Sequence, residues 1–161
     1  MKNKISLYLI AVIAAGFVRF AAAEANGAND VKLNRAVQVY KKADLLKWNR
    51  EKTAGGEGEL LGDFAFTRHQ TDSRDAFKEI GWLTLPKGAS IGLHKHNDNE
   101  DVYIIVSGKG LFTDGNGKET AVEAGDITIA RPGQSHALKN IGDEPLIFLN
   151  PVAKLTNMPT K

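Results

Sequence analysis

The sequence predicts an all-β, single-domain fold, and three observations carry that prediction. After residue 52 the chain divides into short apolar segments, nearly all four to nine residues long, at 60–67, 80–85, 89–96, 101–107, 110–113, 119–124, 126–130, 136–141 and 145–153. Turn-forming clusters stand between them, among them Pro86-Lys87-Gly88, Asn97-Asp98-Asn99, Asp114-Gly115-Asn116-Gly117, Pro132-Gly133 and Gly142-Asp143. No long helical period follows residue 52, so closely spaced strands must build a sandwich or a barrel.

The elements follow in chain order. Lys2 and Lys4 precede an uncharged run from Ile5 to Val18, 14 residues long. That is short of the ~20 a spanning helix needs, so the run reads as the core of a signal peptide. Ala21, Ala22 and Ala23 supply the small residues of a cleavage site, and cutting before Glu24 leaves 138 residues. Arg19, late in this region, keeps an uncleaved, membrane-tethered form as the alternative. A small, polar leader follows over 24–34. The stretch KADLLKWNREK is read as one short helix packing Leu45, Leu46 and Trp48, after an alternating AVQVY at 36–40. Gly55, Gly56 and Gly58 then open the strand-rich region. The domain is assigned to 35–154 and a flexible tail to 155–161.

Charge and cysteine content exclude several functions. The whole chain has 21 basic and 19 acidic residues. Removing 1–23 takes away Lys2, Lys4 and Arg19 and no acid, leaving 18 against 19. The mature chain therefore offers no basic cluster for a phosphate backbone, which argues against a nucleic-acid partner. With no cysteine in the sequence, neither a disulfide nor a thiolate ligand is available. A domain of this size is large enough to be held by its core alone.

The chemistry lies in the histidines. His94 and His96 are two apart on one predicted strand, so both side chains leave the same face. Glu100 and Asp101 follow the Asn97-Asp98-Asn99 turn, where a hairpin returns a carboxylate beside the two imidazoles. His136 begins another strand after Pro132-Gly133 and is placed to face the same cavity. Imidazoles plus a carboxylate suit one divalent transition metal: Mn, Fe, Ni, Cu or Zn.

This arrangement resembles the cupin superfamily in both of its motifs. Gly88, His94, His96, Asp101 and Gly108 match the first; Gly125, Gly133, His136 and Asn140 match the second. The short spacer between them, Lys109 to Ala124, is similar to that of small single-barrel bacterial cupins. The resemblance implies a double-stranded β-helix, or jelly-roll, barrel with a short N-terminal extension, and a metal held by His94, His96, His136 and one carboxylate. Two departures stand out. The family's acid is usually glutamate; the spacing from Gly108 selects Asp101, and Glu100, one place earlier, remains the alternate ligand. Strand alternation assigns the two to opposite faces. Arg131 replaces the second motif's proline, and its cation near the barrel mouth is a candidate contact for a substrate anion.

Plainer readings stand beside these. The motif histidines would be ordinary hydrogen-bonded residues in a barrel that has lost its metal. His69, in polar surroundings, reads as a surface histidine. Tyr103, Trp82, Phe112 and Phe148 read as core before they read as a cavity lining. Arg131 is equally a solvated loop charge or one half of a salt bridge.

Cupins carry out dioxygenation, decarboxylation, isomerisation and epimerisation, or simply bind ligands, so the resemblance does not fix a reaction. The first expectation is an exported, periplasmic or secreted metalloenzyme acting on a small oxygen-rich molecule: a sugar derivative, an organic acid or a catechol-like compound. The second is a non-enzymatic binding or metal-sequestering module. A homodimer is implied by similarity to small cupins, through a strand edge near 36–40 or 60–67.

Overall fold

A computed structural model describes residues 31–154. The signal segment expected over 1–23, the leader up to residue 30 and the tail 155–161 lie outside the described residues. The strands are β1 (Leu46–Lys47), β2 (Arg50–Glu51), β3 (Glu59–Phe66), β4 (Phe77–Leu85), β5 (Ser90–Lys95) and β6 (Asn99–Ser107). They continue with β7 (Lys109–Asp114), β8 (Glu119–Glu123), β9 (Ile127–Ala130), β10 (Ser135–Asn140) and β11 (Leu146–Lys154). Among the described residues no helix is long and apolar enough to cross a membrane.

All pairings are antiparallel and form two ladders. One runs β1-β3-β4-β11-β6-β9, with β2 also on β3; the other runs β5-β10-β7-β8. The barrel expected from the sequence is thus a jelly roll of two sheets packed face to face. Period-two alternation decides what fills it. Leu60 and Phe64 of β3, Leu83 and Leu85 of β4, Tyr103 and Ile105 of β6, and Leu146 and Phe148 of β11 turn inward, where Ile91 and Leu138 meet them from the second sheet. At roughly 1.5–3 kcal/mol for each large side chain removed from water, this layer supplies the stability that no disulfide provides.

The helix expected over 42–52 does not form. Lys42–Asp44 make one 3-10 turn, and the chain then pairs with the edge of β3, Leu46 opposite Phe64 and Arg50 opposite Leu60, while Trp48 N–H donates to Gly62 O. Leu46, Trp48 and Arg50 are half-buried and Lys47, Asn49 and Glu51 exposed, a period of two. The unpaired backbone of β3 outweighs a helical propensity spread over so few residues. The same pairing corrects the strand edge expected at 60–67, which β1 and β2 partly cover, and residues 36–40 form no strand.

The outer face of the larger sheet is unusually apolar. Cross-strand partners place Asp63, Trp82, Leu149, Ile104 and Ile127 in one row across β3, β4, β11, β6 and β9. Trp82 is exposed there instead of joining the core, beside a groove of about 630 Å³ that Tyr40, Leu45 and Ile80 also line.

Candidate metal centre

One local irregularity brings the first two histidines inside. Ile91 is buried in the core, so strict alternation would send His94 to the opposite face. Instead β5 carries a bulge: His136 pairs with His94 and Leu138 with Ile91, so Gly92 and Leu93 together oppose Ala137. Leu93 is pushed into solvent, while His94 and His96 turn inward. Gly92 is required, because a Cβ there would strike the carbonyl of Ala54 and the amide of Gly56.

The second module is tied to the first through the backbone. Gly133 N–H donates to His96 O at 2.7 Å, and His96 N–H donates to Gln134 O at 2.9 Å. Gly133 holds φ +89°, a left-handed conformation that disfavours any residue with a Cβ. This double link brings β10 to β5 with His136 across from His94. Asn140 of the second motif is structural: its amide donates to Leu85 O and Glu144 O, and its Oδ1 accepts from Gly142 N–H.

His94, His96, Asp101 and His136 converge, with one potential ligand atom from each lying within 4.8 Å of all the others. His96 Nε2 is 3.0 Å from His136 Nε2, and Asp101 Oδ2 lies 3.3 Å from His96, 3.4 Å from His136 and 3.9 Å from His94 at their Nε2 atoms. Two ligands about 2.1 Å from one ion at right angles lie about 3 Å apart, so these edges fit a single transition-metal ion. The tautomers fit too. His94 Nδ1 lies 2.9 Å from Gly92 O and His96 Nδ1 2.9 Å from Asn99 Oδ1. Both acceptors require Nδ1–H, which leaves Nε2 with its lone pair directed at the cluster.

Electrostatics agree. Burial alone would raise the Asp101 carboxyl, but hydrogen bonding to His136 and His94 and the nearby imidazoles outweigh it, bringing the pKa to about 2. Its other oxygen, Oδ1, accepts from Asn150 Nδ2, which also donates to Val102 O. Burial lowers the proton affinity of His96, whereas at His94 the Asp101 and Gly92 contacts overcome burial and raise it. The carboxylate thus favours a positive charge among the imidazoles, which either a proton or a metal supplies. Tyr103 stacks on His136 with ring centroids 4.8 Å apart, its hydroxyl 3.4 Å from Nε2, and burial raises its pKa far enough to keep it protonated.

The remaining sequence candidates lie elsewhere. Glu100 faces outward, half-buried, and its carboxylate sits 3.7 Å from Arg131, so these two pair with each other at the rim. His69 is exposed, its ring edge-on to Trp48. Of the four aromatics, Tyr103 and Phe148 are core and Phe112 is partly buried against it, as expected; Trp82 is not. Asn150 and Tyr103 are the supporting residues that reading for metal ligands missed. Asn150 carries a signal of its own, being the one polar member of the inward set Leu146, Phe148, Asn150 and Val152.

Known proteins place this arrangement in a family. The cupin-domain family profile matches residues 81–152, a span that contains all four clustered residues. An oxalate-binding protein of Thermotoga maritima is 36% identical over 111 residues, covering 69% of this chain and 89% of its own. A Thermotoga maritima structure described as a predicted oxalate decarboxylase superposes with a TM-score of 0.65 at 30% identity, over 73% of this chain and 99% of its own. A Klebsiella pneumoniae protein with a double-stranded β-helix domain does so with a TM-score of 0.55 at 26% identity, over 73% of this chain and 90% of its own. With its two motifs brought together inside a jelly roll and a relative aligned over most of its length, this chain belongs to the cupin family.

Proposed function

We propose that this cupin holds one divalent transition metal through His94, His96, His136 and Asp101 and acts there, as a metalloenzyme, on a small oxygen-rich acid of the oxalate type. The carrying observation is the convergence of three imidazole Nε2 atoms and one ionised carboxylate oxygen in a single cluster. The acid is suggested by the relatives named for oxalate. A metal in this site would supply Lewis-acid polarisation of a ligand oxygen and, if redox-active, electron transfer. The chain's own groups do the rest. Asn150 orients Asp101 and Tyr103 fixes the His136 ring, and a metal held by the four residues would have positions left for oxygens of the acid.

A second reading, binding without turnover, is favoured by one observation: the carboxylates near the cluster are engaged. Asp101 is taken up by Asn150 and the imidazoles, and Glu79 is held by Arg68 at 2.6 and 2.8 Å. Titrating the cobalt-loaded protein with oxalate separates the readings. A saturable change in the cobalt spectrum with consumption of the acid is the expected result. Saturation without consumption gives the binding module, and no spectral change overturns both.

Export and self-association belong to the same reading. The apolar outer row through Trp82, Leu149 and Ile104 suits a second copy across a two-fold axis, since patches of this kind are seldom left open on monomers. Native mass spectrometry of protein recovered outside the cytoplasm is expected to give two chains, each beginning at Glu24. A single chain, or one retaining Met1, contradicts the corresponding part.

A further inference from the structure

The strands that carry the cluster also frame a cavity beside it. β7 and β9 end, and β10 begins, at the end of the fold where His94, Asp101 and His136 meet. Between those strand ends lies a cavity of about 290 Å³, at the small end of the range for ligand pockets. Four contacts set it against the cluster. Ala130, in its wall, is the cross-strand partner of Asp101, and Asp114 is that of His136; such partners share a face of their sheet. Gly133, also in the wall, donates its N–H to His96 O at 2.7 Å. The Phe112 ring lies edge-on to His136, centroids 5.8 Å apart, and forms a wall common to cavity and cluster.

The polar groups in this wall select the chemistry of a ligand. Asp114 is its one charged residue. Oδ1 of that carboxylate accepts from the Asn116 and Lys118 amides at 2.8 and 3.0 Å, whereas Oδ2 has no hydrogen bond or ion pair among the described residues. Gln134 Oε1 accepts from Arg131 N–H at 2.9 Å, which leaves the amide nitrogen of Gln134 to donate. The Ser135 hydroxyl can do either. A carboxylate placed here would face Asp114 with no cation in the wall to offset the repulsion. A hydroxyl group donates to Asp114 and accepts from Gln134, so it suits both.

We propose that this cavity is a subsite of the metal centre, taking the hydroxyl-bearing end of a monocarboxylic acid whose carboxylate end is held at His94, His96, Asp101 and His136. This rests on the acid-binding reading above and extends it beyond oxalate to longer hydroxy acids. Phe112 supports the carbon chain on its way from metal to cavity.

The test titrates cobalt-loaded protein with imidazole and three acids. Glycolate offers only the metal-binding end, gluconate adds four hydroxylated carbons, and glucarate ends the same chain in a second carboxylate. The wild type is expected to bind gluconate at least about tenfold more tightly than glycolate, and glucarate to lose most of that gain. Asp114→Asn keeps an oxygen for the Asn116 and Lys118 amides. It is expected to retain its metal-to-chain ratio and glycolate affinity while gluconate falls about tenfold and glucarate no longer trails it. Gln134→Leu, of similar size, is expected to weaken gluconate about threefold through the lost amide donor. Equal affinity for glycolate and gluconate in the wild type overturns the subsite and leaves the acid reading intact. Glucarate binding as tightly as gluconate overturns the hydroxyl assignment. A gluconate gain that survives both substitutions places the chain elsewhere, and loss of glycolate together with gluconate makes Asp114 structural; either overturns the proposal. A wild type that responds to imidazole but to none of the acids overturns the acid reading, and the subsite with it.

Discussion

His136→Ala is expected to lower metal affinity well over tenfold, whereas His69→Ala leaves it unchanged within about twofold. Loss of even an outer partner of a metal ligand costs about 10- to 100-fold, and His136 would itself be a ligand. It is fully buried, and it places Nε2 3.0 Å from that of His96 and 3.4 Å from the Asp101 carboxylate. His69 lies on the surface against Trp48. Because the His136 ring also fills space beside Tyr103 and Phe112, truncation is expected to cost about 2–4 kcal/mol of stability as well. A thermal melt of the metal-free proteins separates the two effects, and competition against a chelator of known affinity reads the first. Equal affinity in both variants would remove His136 from the site.

Asp101→Asn is expected to have the second-largest effect, with Glu100→Gln as its counterpart. Asparagine keeps the shape of Asp101 and discards its charge. The three imidazoles would then have no anion to balance a divalent ion, and the Asn150 amide would face a second amide in place of a carboxylate oxygen. Metal affinity should fall about 100-fold, a little under 3 kcal/mol. Glu100 contacts Arg131 on the outside, so Glu100→Gln should change it less than twofold. The reverse order, measured by the same chelator competition, would give the ligand role to Glu100.

Most of the strands were legible because turn residues mark most boundaries after residue 52 and buried positions alternate between them. The site was legible for a different reason. His94, His96, Asp101 and His136 are spaced by the motif, and strand parity separates Asp101 from Glu100. What escaped the sequence depended on distant partners. The segment around Trp48 alternates at 46, 48 and 50, but only the free edge of β3 turns that short pattern into strand pairing. The bulge at Gly92 and Leu93, which lets Ile91 and His94 share the interior, answers to the register of β10 and to the close approach of Ala54. Trp82 looked like core because nothing local distinguishes the two apolar faces of β4.

The measurement that bears most directly on the central claim is elemental analysis of the protein purified without chelator. The account predicts about one equivalent of a divalent transition metal per chain, bound at the crossing of His94, His96, His136 and Asp101. A folded protein that emerges without metal and refuses added Mn, Fe, Ni, Cu or Zn would contradict it.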